Sequence, residues 1–578
     1  MHSLSLGISK QGRAHWISAT LVVVLFFALS FLVCGRPKFE TNDDVVLSML
    51  AAGVGFTDTP EDHILYSHYL IGRVLGWLYR AGPSISWYSV YLLAAQILAA
   101  VMIVRVLLKR FDLRAASVFV PFFLLSVCLR LSQLMQFTNT ASLVASAGSL
   151  CFFDVLERKQ SLAKLVVPIV SVLVVFCGAA AIRFGSGKLV GVLSIAFLLS
   201  KYLPRKDWWR LKVGLSVFGL AIALCCAVEF ENRLYYERSG WSEFYPLNEL
   251  RFSINECGRA SHLSPKVVNA FRQIGWAPAE KDMFSSYCFL DRSIYSLQSL
   301  KKLDASLPAV RSLTVRPILS SIWTLLSDPT ITLSAVSLLV ALVVAERARL
   351  SVISRATFFL SLLGIAVFFL VMLKLPIYLL TGIICFSLTM LIWSAPASLP
   401  DLASSFTRTQ IAASVAVLLL VMPCISAVKD FRQRTRRGNH ARQSMRSSLN
   451  ALDRKYLYVI WANALNYEAI RPFDNLSKYF GGLKLVGFCF LGRSPVTERR
   501  LQEFHIQDLL AEANNPQVRF ISAIYLNDIL ERFYRRHFHH GLNFESVAGN
   551  ESAGLAVYKV NVLPGYVEPA SWDNWPLF

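Results

Sequence analysis

The chain has 578 residues, 55% of them hydrophobic and only 16% charged, with a mean hydropathy of +0.49. Soluble domains carry about 25% charge, and many runs here approach the roughly 20 apolar residues that cross a bilayer, so the composition excludes a soluble globular protein in favour of a polytopic helical membrane protein. The net charge of +21 raises nucleic acid as a partner, but the basic residues fall mostly in short loops between apolar runs, where the positive-inside rule and anionic headgroups account for them, and no nucleic acid is expected.

The first apolar run, His15 to Cys34, follows Lys10 and Arg13. It is longer than a signal-peptide core and lacks a small-x-small cleavage site, so it reads as an uncleaved span with a cytoplasmic N-terminus. Apolar length gives about eleven spans, near 14–34, 86–108, 114–132, 140–156, 164–182, 187–203, 212–230, 329–345, 356–373, 376–395 and 409–428. The loops "KRFDLR" (109–114), "ERKQSLAK" (157–164), "KYLPRKDWWRLK" (201–212) and "ERARLSVISR" (346–355) are basic and alternate as cytoplasmic loops should. Three stretches then face the other side: 35–85, 231–310 and the polar segment after 430.

That last segment alternates strand-like and helix-like patterns: "KYLYVIWA", "KLVGFCFLG", "RRLQEFHIQDLLAEA", "VRFISAIY", "LNDILERFYRRHF" and "GLAVYKVNVL". The expected fold is an all-α membrane bundle over 1–428 with a small α/β extramembrane C-terminal domain over 429–578. One stretch opposes this topology. "KDFRQRTRRGNHARQSMR" (429–446) is strongly basic; positive-inside assigns it to the cytoplasm, whereas an odd number of spans carries it outside.

In the first outer loop, "CGRPKFETNDDVVLSMLAAG" (34–53) places two adjacent carboxylates just past a span. Thr41 or Asn42 can cap a helix that starts at Asp43, and the helix dipole then favours both ionised carboxylates, Asp43 and Asp44. Such a pair either just starts a helix or serves as a base or cation ligand. In "TDTPEDHILYSHYLIGRVLGWLYRAGP" (57–83), Thr59 can cap and Pro60 suits the first helical position, giving a helix lying in the membrane interface. On it, His68 and Arg73 either face a lipid phosphate or acceptor, or only snorkel.

Most of the eleven cysteines lie in apolar runs, but Cys257 and Cys288 lie in the long outer loop and can pair in an oxidising compartment. The "RRHFHH" run (535–540) has no acidic or cysteine partner at metal-ligand spacing, so no metal site is assigned to it.

Three segments carry a family resemblance: "NDDVVLSMLAAG" followed by "GWLYRAGPSISWYSVYLL"; "MQFTNTASLVASAG" (135–148); and "GWAPAEKDMFSSYCFLDRSIYS" (275–296). In this order the chain resembles the GT-C superfamily of membrane glycosyltransferases, and more closely a bacterial group of such polytopic proteins. The resemblance implies transfer of a hexosyl or pentosyl unit from a polyprenyl-phosphate carrier to a cell-envelope glycan or glycolipid. It implies a site on the outer face of the bacterial inner membrane. It also implies an acidic residue of the first outer loop as base, a position matched by Asp43 and Asp44; in some branches such a residue holds a divalent metal, and no cofactor is fixed here.

Independently, the cytoplasmic loops are too short for a nucleotide-sugar domain, which takes roughly a hundred residues, so a glycosyltransferase of this shape needs a lipid-linked donor. Arg183 and Lys374 stand at outer ends of spans, where cations hold an interfacial phosphate or anchor to headgroups. Many related enzymes carry arginine near the place of Lys374, and lysine lacks its bidentate fork. A polysaccharide polymerase or ligase is the nearest alternative, but that class keeps its key arginines in large middle loops. A transporter or assembly scaffold is the other, but such proteins show internal repeats and charged, broken spans, and no convincing repeat is present.

Overall fold

The structure is a computed structural model. It describes residues 10–158, 162–257, 259–260, 263–308, 327–344, 359, 362–363, 376–395, 397, 408–461, 464–550 and 555–565. Among these, eight helices are long and apolar enough to cross a membrane: Gly12–Cys34, Trp87–Arg110, Leu113–Gln133, Phe137–Leu156, Lys164–Ile182, Phe184–Tyr202, Trp208–Arg238 and Ile377–Ser394. The expected runs at 329–345 and 409–428 fall in the helices Pro329–Val344 and Arg408–Asn450, and the run at 356–373 lies almost wholly outside the described residues. The segment Leu113–Gln133 is not uniform. It widens into a π-turn at Leu124–Cys128, just after Pro121, whose missing N–H interrupts the helical ladder. At the centre, Phe137–Leu156 is rich in Ala, Ser and Thr and buried along most of its length, since small side chains let neighbouring helices approach closely.

Beyond the bundle the chain forms layers. Two short strands, β1 (Lys38–Phe39) and β2 (Leu134–Met135), pair in parallel and tie the first loop to the turn before Phe137. A five-stranded sheet follows from β3 (Leu457–Trp461), β4 (Lys484–Phe488), β5 (Val518–Ile521), β6 (Gly541–Asn550) and β7 (Leu555–Leu563), in the order β4-β3-β5-β7-β6. Its first three strands are parallel, and β7 runs antiparallel to both β5 and β6.

The strand β3 is buried at every residue, as a parallel strand covered on both faces should be. Its alternation sorts the two covers. Tyr458, Ile460, Leu485, Ile521 and Val557 join a core with Val46, Leu50 and Tyr88 from the first loop and the span after it. Leu457, Val459, Trp461, Phe488 and Phe520 join a second core with Trp276, Phe284 and Leu300 from the long loop. The α/β unit is thus the middle layer of a three-part cap, with a stretch of loop on each face.

The helix Arg408–Asn450 runs unbroken for 43 residues into this cap. The basic stretch 429–446 is therefore a helical strut. At Cys34, the last residue of the first span, the backbone carbonyl accepts a hydrogen bond from Thr435 Oγ1 at 3.3 Å. Other sequence expectations shift. The helix expected from Thr59 begins only at Tyr69, with His68 as its cap. The helix-like pattern at 499–513 is helical only to Glu503, and His505 takes a left-handed φ of 56°. The strand β6 was not anticipated, because "GLNFESVAGN" is mostly polar and small.

Candidate functional site

The helix Asn42–Ala52 presents its two aspartates to different surroundings. Thr41 is the N-cap residue, yet its hydroxyl donates to the Asp44 carboxylate at 2.7 Å and makes no capping bond to the backbone. Asp44 also accepts from the Tyr88 hydroxyl at 3.0 Å and from the Phe137 N–H at 3.1 Å. It is 0% exposed, and burial pushes its carboxyl up to about 8. A group so enclosed touches no substrate. The pairing of β1 with β2, extended by the Glu40 N–H to the Met135 carbonyl at 3.0 Å, is what brings Phe137 to it.

Asp43 is half-buried and faces a cluster of aromatic and charged groups. Burial raises the phenols of Tyr66 and Tyr287 and the thiol of Cys489, and the nearby Asp43 charge adds to each. The Arg183 guanidinium lies over the Tyr66 ring at 4.8 Å and over the Phe137 ring at 5.5 Å. Among the described residues no carboxylate stands at ion-pair distance from Arg183. Arg251, 3% exposed, lies over the Tyr287 ring at 5.2 Å and donates to Asn248 and, at 3.3 Å, to Glu256. The Tyr287 hydroxyl donates to the same Glu256.

Tyr66 and Tyr287 both hold left-handed backbones, with φ of 68° and 66°. For bulky residues this costs of order 1–3 kcal/mol and persists only where the surroundings enforce it, commonly at functional sites. Phe490, at the carboxyl end of β4, packs on Tyr66 at 5.7 Å. The cluster therefore draws on the first loop, the turn before Phe137, the start of Phe184–Tyr202, the long loop and the sheet.

The other expected residues lie elsewhere. His68 is buried: its Nδ1 accepts from the Leu70 N–H at 3.3 Å, and its Nε2–H donates to Glu231 at 2.6 Å. Both ring nitrogens are thus engaged, one in capping the helix and one with Glu231. Arg73 donates to Asp62 at 3.1 Å and to the Tyr235 hydroxyl at 3.2 Å, and its guanidinium covers Tyr69 and Tyr235. It fastens the helix Tyr69–Ala81 to Trp208–Arg238. Lys374 lies outside the described residues.

The expected Cys257–Cys288 bridge is not formed. Cys288 is a buried thiol within the core shared with the sheet, and burial raises it well above its ordinary value. Cys257 is buried at the end of the π-turn Phe252–Glu256, outside that core. In "RRHFHH", Arg536 and His537 clamp the buried Glu280 of the long loop.

Sequence reasoning passed over Arg251, Glu256 and the two strained tyrosines. Tyr287 falls inside the segment 275–296 quoted for the resemblance, but most of that segment is structural: Trp276 and Tyr295 fill the core. The group does not suit a divalent metal. All three donors at Asp44 compete for its oxygens, and Tyr66, on which the Asp43 charge acts, is also under the charges of Arg183 and Arg251.

No family model and no curated protein matches the sequence. Among solved structures, ArnT from Cupriavidus metallidurans is similar in two states. The one bound to undecaprenyl phosphate shares 14% identity, covering 97% of this chain and 100% of that one, with a TM-score of 0.39. The apo state shares 15% identity, covering 94% and 98%, with a TM-score of 0.38. Overlap this loose locates no residue of the site.

Proposed function

We propose that the protein transfers a sugar from a polyprenyl-phosphate carrier to a glycan or glycolipid acceptor, with Asp43 as the base. The observation that carries this reading is that the half-buried Asp43 carboxylate and the Arg183 guanidinium both act on Tyr66, whose ring Arg183 covers at 4.8 Å, with no carboxylate among the described residues at ion-pair distance from Arg183. The acceptor hydroxyl attacks the anomeric carbon and gives its proton to Asp43. The bond from that carbon to the phosphate oxygen breaks, and the carrier phosphate leaves with the electron pair. Arg183 meets the charge that develops on it, with Arg251 reinforcing the field. Asp44 positions the helix that bears Asp43 and stays out of contact with substrate.

The opposite ends of the spans support a lipid-linked donor. Successive helices there are joined by residues 111–112, 157–161 and 203–207, too few to bind a nucleotide sugar. Those ends are rich in Lys and Arg, which supports a cytoplasmic side for them and an exterior site in a bacterial inner membrane.

The test is Asp43→Asn at matched membrane abundance, scored by mass spectrometry of envelope glycans and lipids against wild-type and deletion strains. Loss of product by roughly 10²-fold or more is expected. Near-normal product would remove Asp43 from the chemistry.

A further inference from the structure

The strut helix Arg408–Asn450 has two unlike faces above the membrane. One is fully engaged. Arg434 pairs with Asp430 at 2.5 Å and with Asp328 at 3.6 Å, and Arg442 pairs with Asp474 at 2.6 Å. Asn439 accepts from Arg471 at 2.9 Å, and Phe431, Met445 and Leu449 are buried.

The other face carries Lys429, Arg432, Arg436 and His440 at helical spacing, with Arg437 beside them, all exposed. Among the described residues no carboxylate stands at ion-pair distance from Lys429, Arg436 or Arg437. The height of this face is fixed: Arg432 Nε donates to the Val33 carbonyl at 2.6 Å, at the end of the first span. Below it the strut exposes apolar Val421, Met422 and Ile425, as a surface facing acyl chains does. From Lys429 to His440 the helix rises about 16 Å, and arginine side chains reach back toward the headgroup layer.

We propose that this face docks the phosphate headgroups of anionic lipids in the leaflet on the side of the cap. A cationic segment on that side runs against the topological bias of basic residues, and a stripe that begins where apolar exposure ends matches the headgroup layer in charge and in depth. The strut carries the sheet, so these contacts hold the cap at a set height over the site. Nothing in this depends on the sugar-transfer reading.

The test uses the full-length protein with the photoreactive p-benzoylphenylalanine in place of Gln433, an exposed residue on the same face. It is reconstituted into vesicles of equal parts phosphatidylcholine and phosphatidylglycerol, irradiated, and its adducts weighed. Phosphatidylglycerol adducts should exceed phosphatidylcholine adducts by on the order of tenfold or more, since each basic group near the surface is worth about fivefold. The Lys429→Gln, Arg436→Gln, Arg437→Gln triple variant should bring the ratio close to one, with melting in pure phosphatidylcholine unchanged. Equal adducts in the parent protein overturn the proposal. So do a preference that survives the triple change, no lipid adduct at all, or adducts to a phosphorylated glycan or a protein instead.

Discussion

Asp44 takes three hydrogen bonds in a fully buried place, and its charge is still disfavoured there, because burial outweighs the donors. Its native carboxyl titrates near 8 against an ordinary 3.8. The folded chain therefore holds this proton more tightly than the unfolded chain does. The stabilising contribution is full below 3.8, shrinks as pH rises and is gone once pH passes 8. Asn in its place still accepts from Tyr88 and Phe137 and donates to Thr41, with no charge to bury. Melting of Asp44→Asn should be insensitive to this titration, matching wild type near pH 4 and exceeding it near pH 8. A wild type that gains stability on Asn across that window would show the carboxylate to be welcome where it lies. The pair was legible in sequence as the start of a helix. Which member is enclosed was not, because Phe137 and Tyr88 are 93 and 44 residues away. For the same reason His68 read as a surface group, although the Glu231 that engages it belongs to another span.

At the scale of elements, the helix Tyr69–Ala81 shows why a good start signal failed. Thr59, Pro60, Glu61 and Asp62 suit a first turn, but Glu61 and Asp62 are claimed by tertiary contacts. Glu61 accepts from His63 Nδ1 at 2.5 Å and from Arg499 at 2.5 Å. The His63 ring lies stacked between Tyr235 and Trp241. Gly53, at φ 68°, turns the chain where a Cβ would sit 2.4 Å from Pro60 N. The loop then folds against the helix so closely that a Cβ on Gly72 would stand 2.0 Å from the Asp62 carbonyl oxygen. Gly72→Ala should therefore cost several kcal/mol, read as a lowered melting temperature. Gly82→Ala, whose Cβ would meet nothing nearer than 3.5 Å, should leave it nearly unchanged; equal melting of the two variants would mean the loop yields freely. The outward side of this helix carries Leu70, Val74 and Trp77, all exposed. Strands β3, β4, β5 and β7 were legible because apolar residues dominate them, with single polar residues between them in β5 and β7, and β6 was not, because it lies at the sheet's edge with polar residues along it.

For the molecule as a whole, hydropathy located the spans well, since the bilayer imposes one length and one composition on them. It said little about the cap, whose cores are assembled from distant segments. The sheet lends one face to residues of the first loop and the other to residues 247–307. A fragment of residues 451–565 would lose part of the cover on each face of the sheet, keeping only what Leu526, Leu530 and Phe533 give one face and Tyr467 and Phe480 the other. Expressed alone, it should show strand and helix signal without a cooperative thermal transition and with fast amide exchange. A sharp melt with protected amides would instead make the sheet an independent domain.

That sharing also sets an order of events in time. The first loop is synthesised early, the long loop next, and the sheet that fits between them last. The last strand is completed roughly 250 residues after the long loop, which at about 5–20 residues per second is a wait of roughly ten to fifty seconds. Through that interval Trp276, Phe284 and Leu300 have no sheet to cover them, and neither do Val46 and Leu50. The newborn protein thus presents two sticky, half-built surfaces outside the bundle. Its yield in a cell depends on what shields them there until Leu457 to Leu563 arrives.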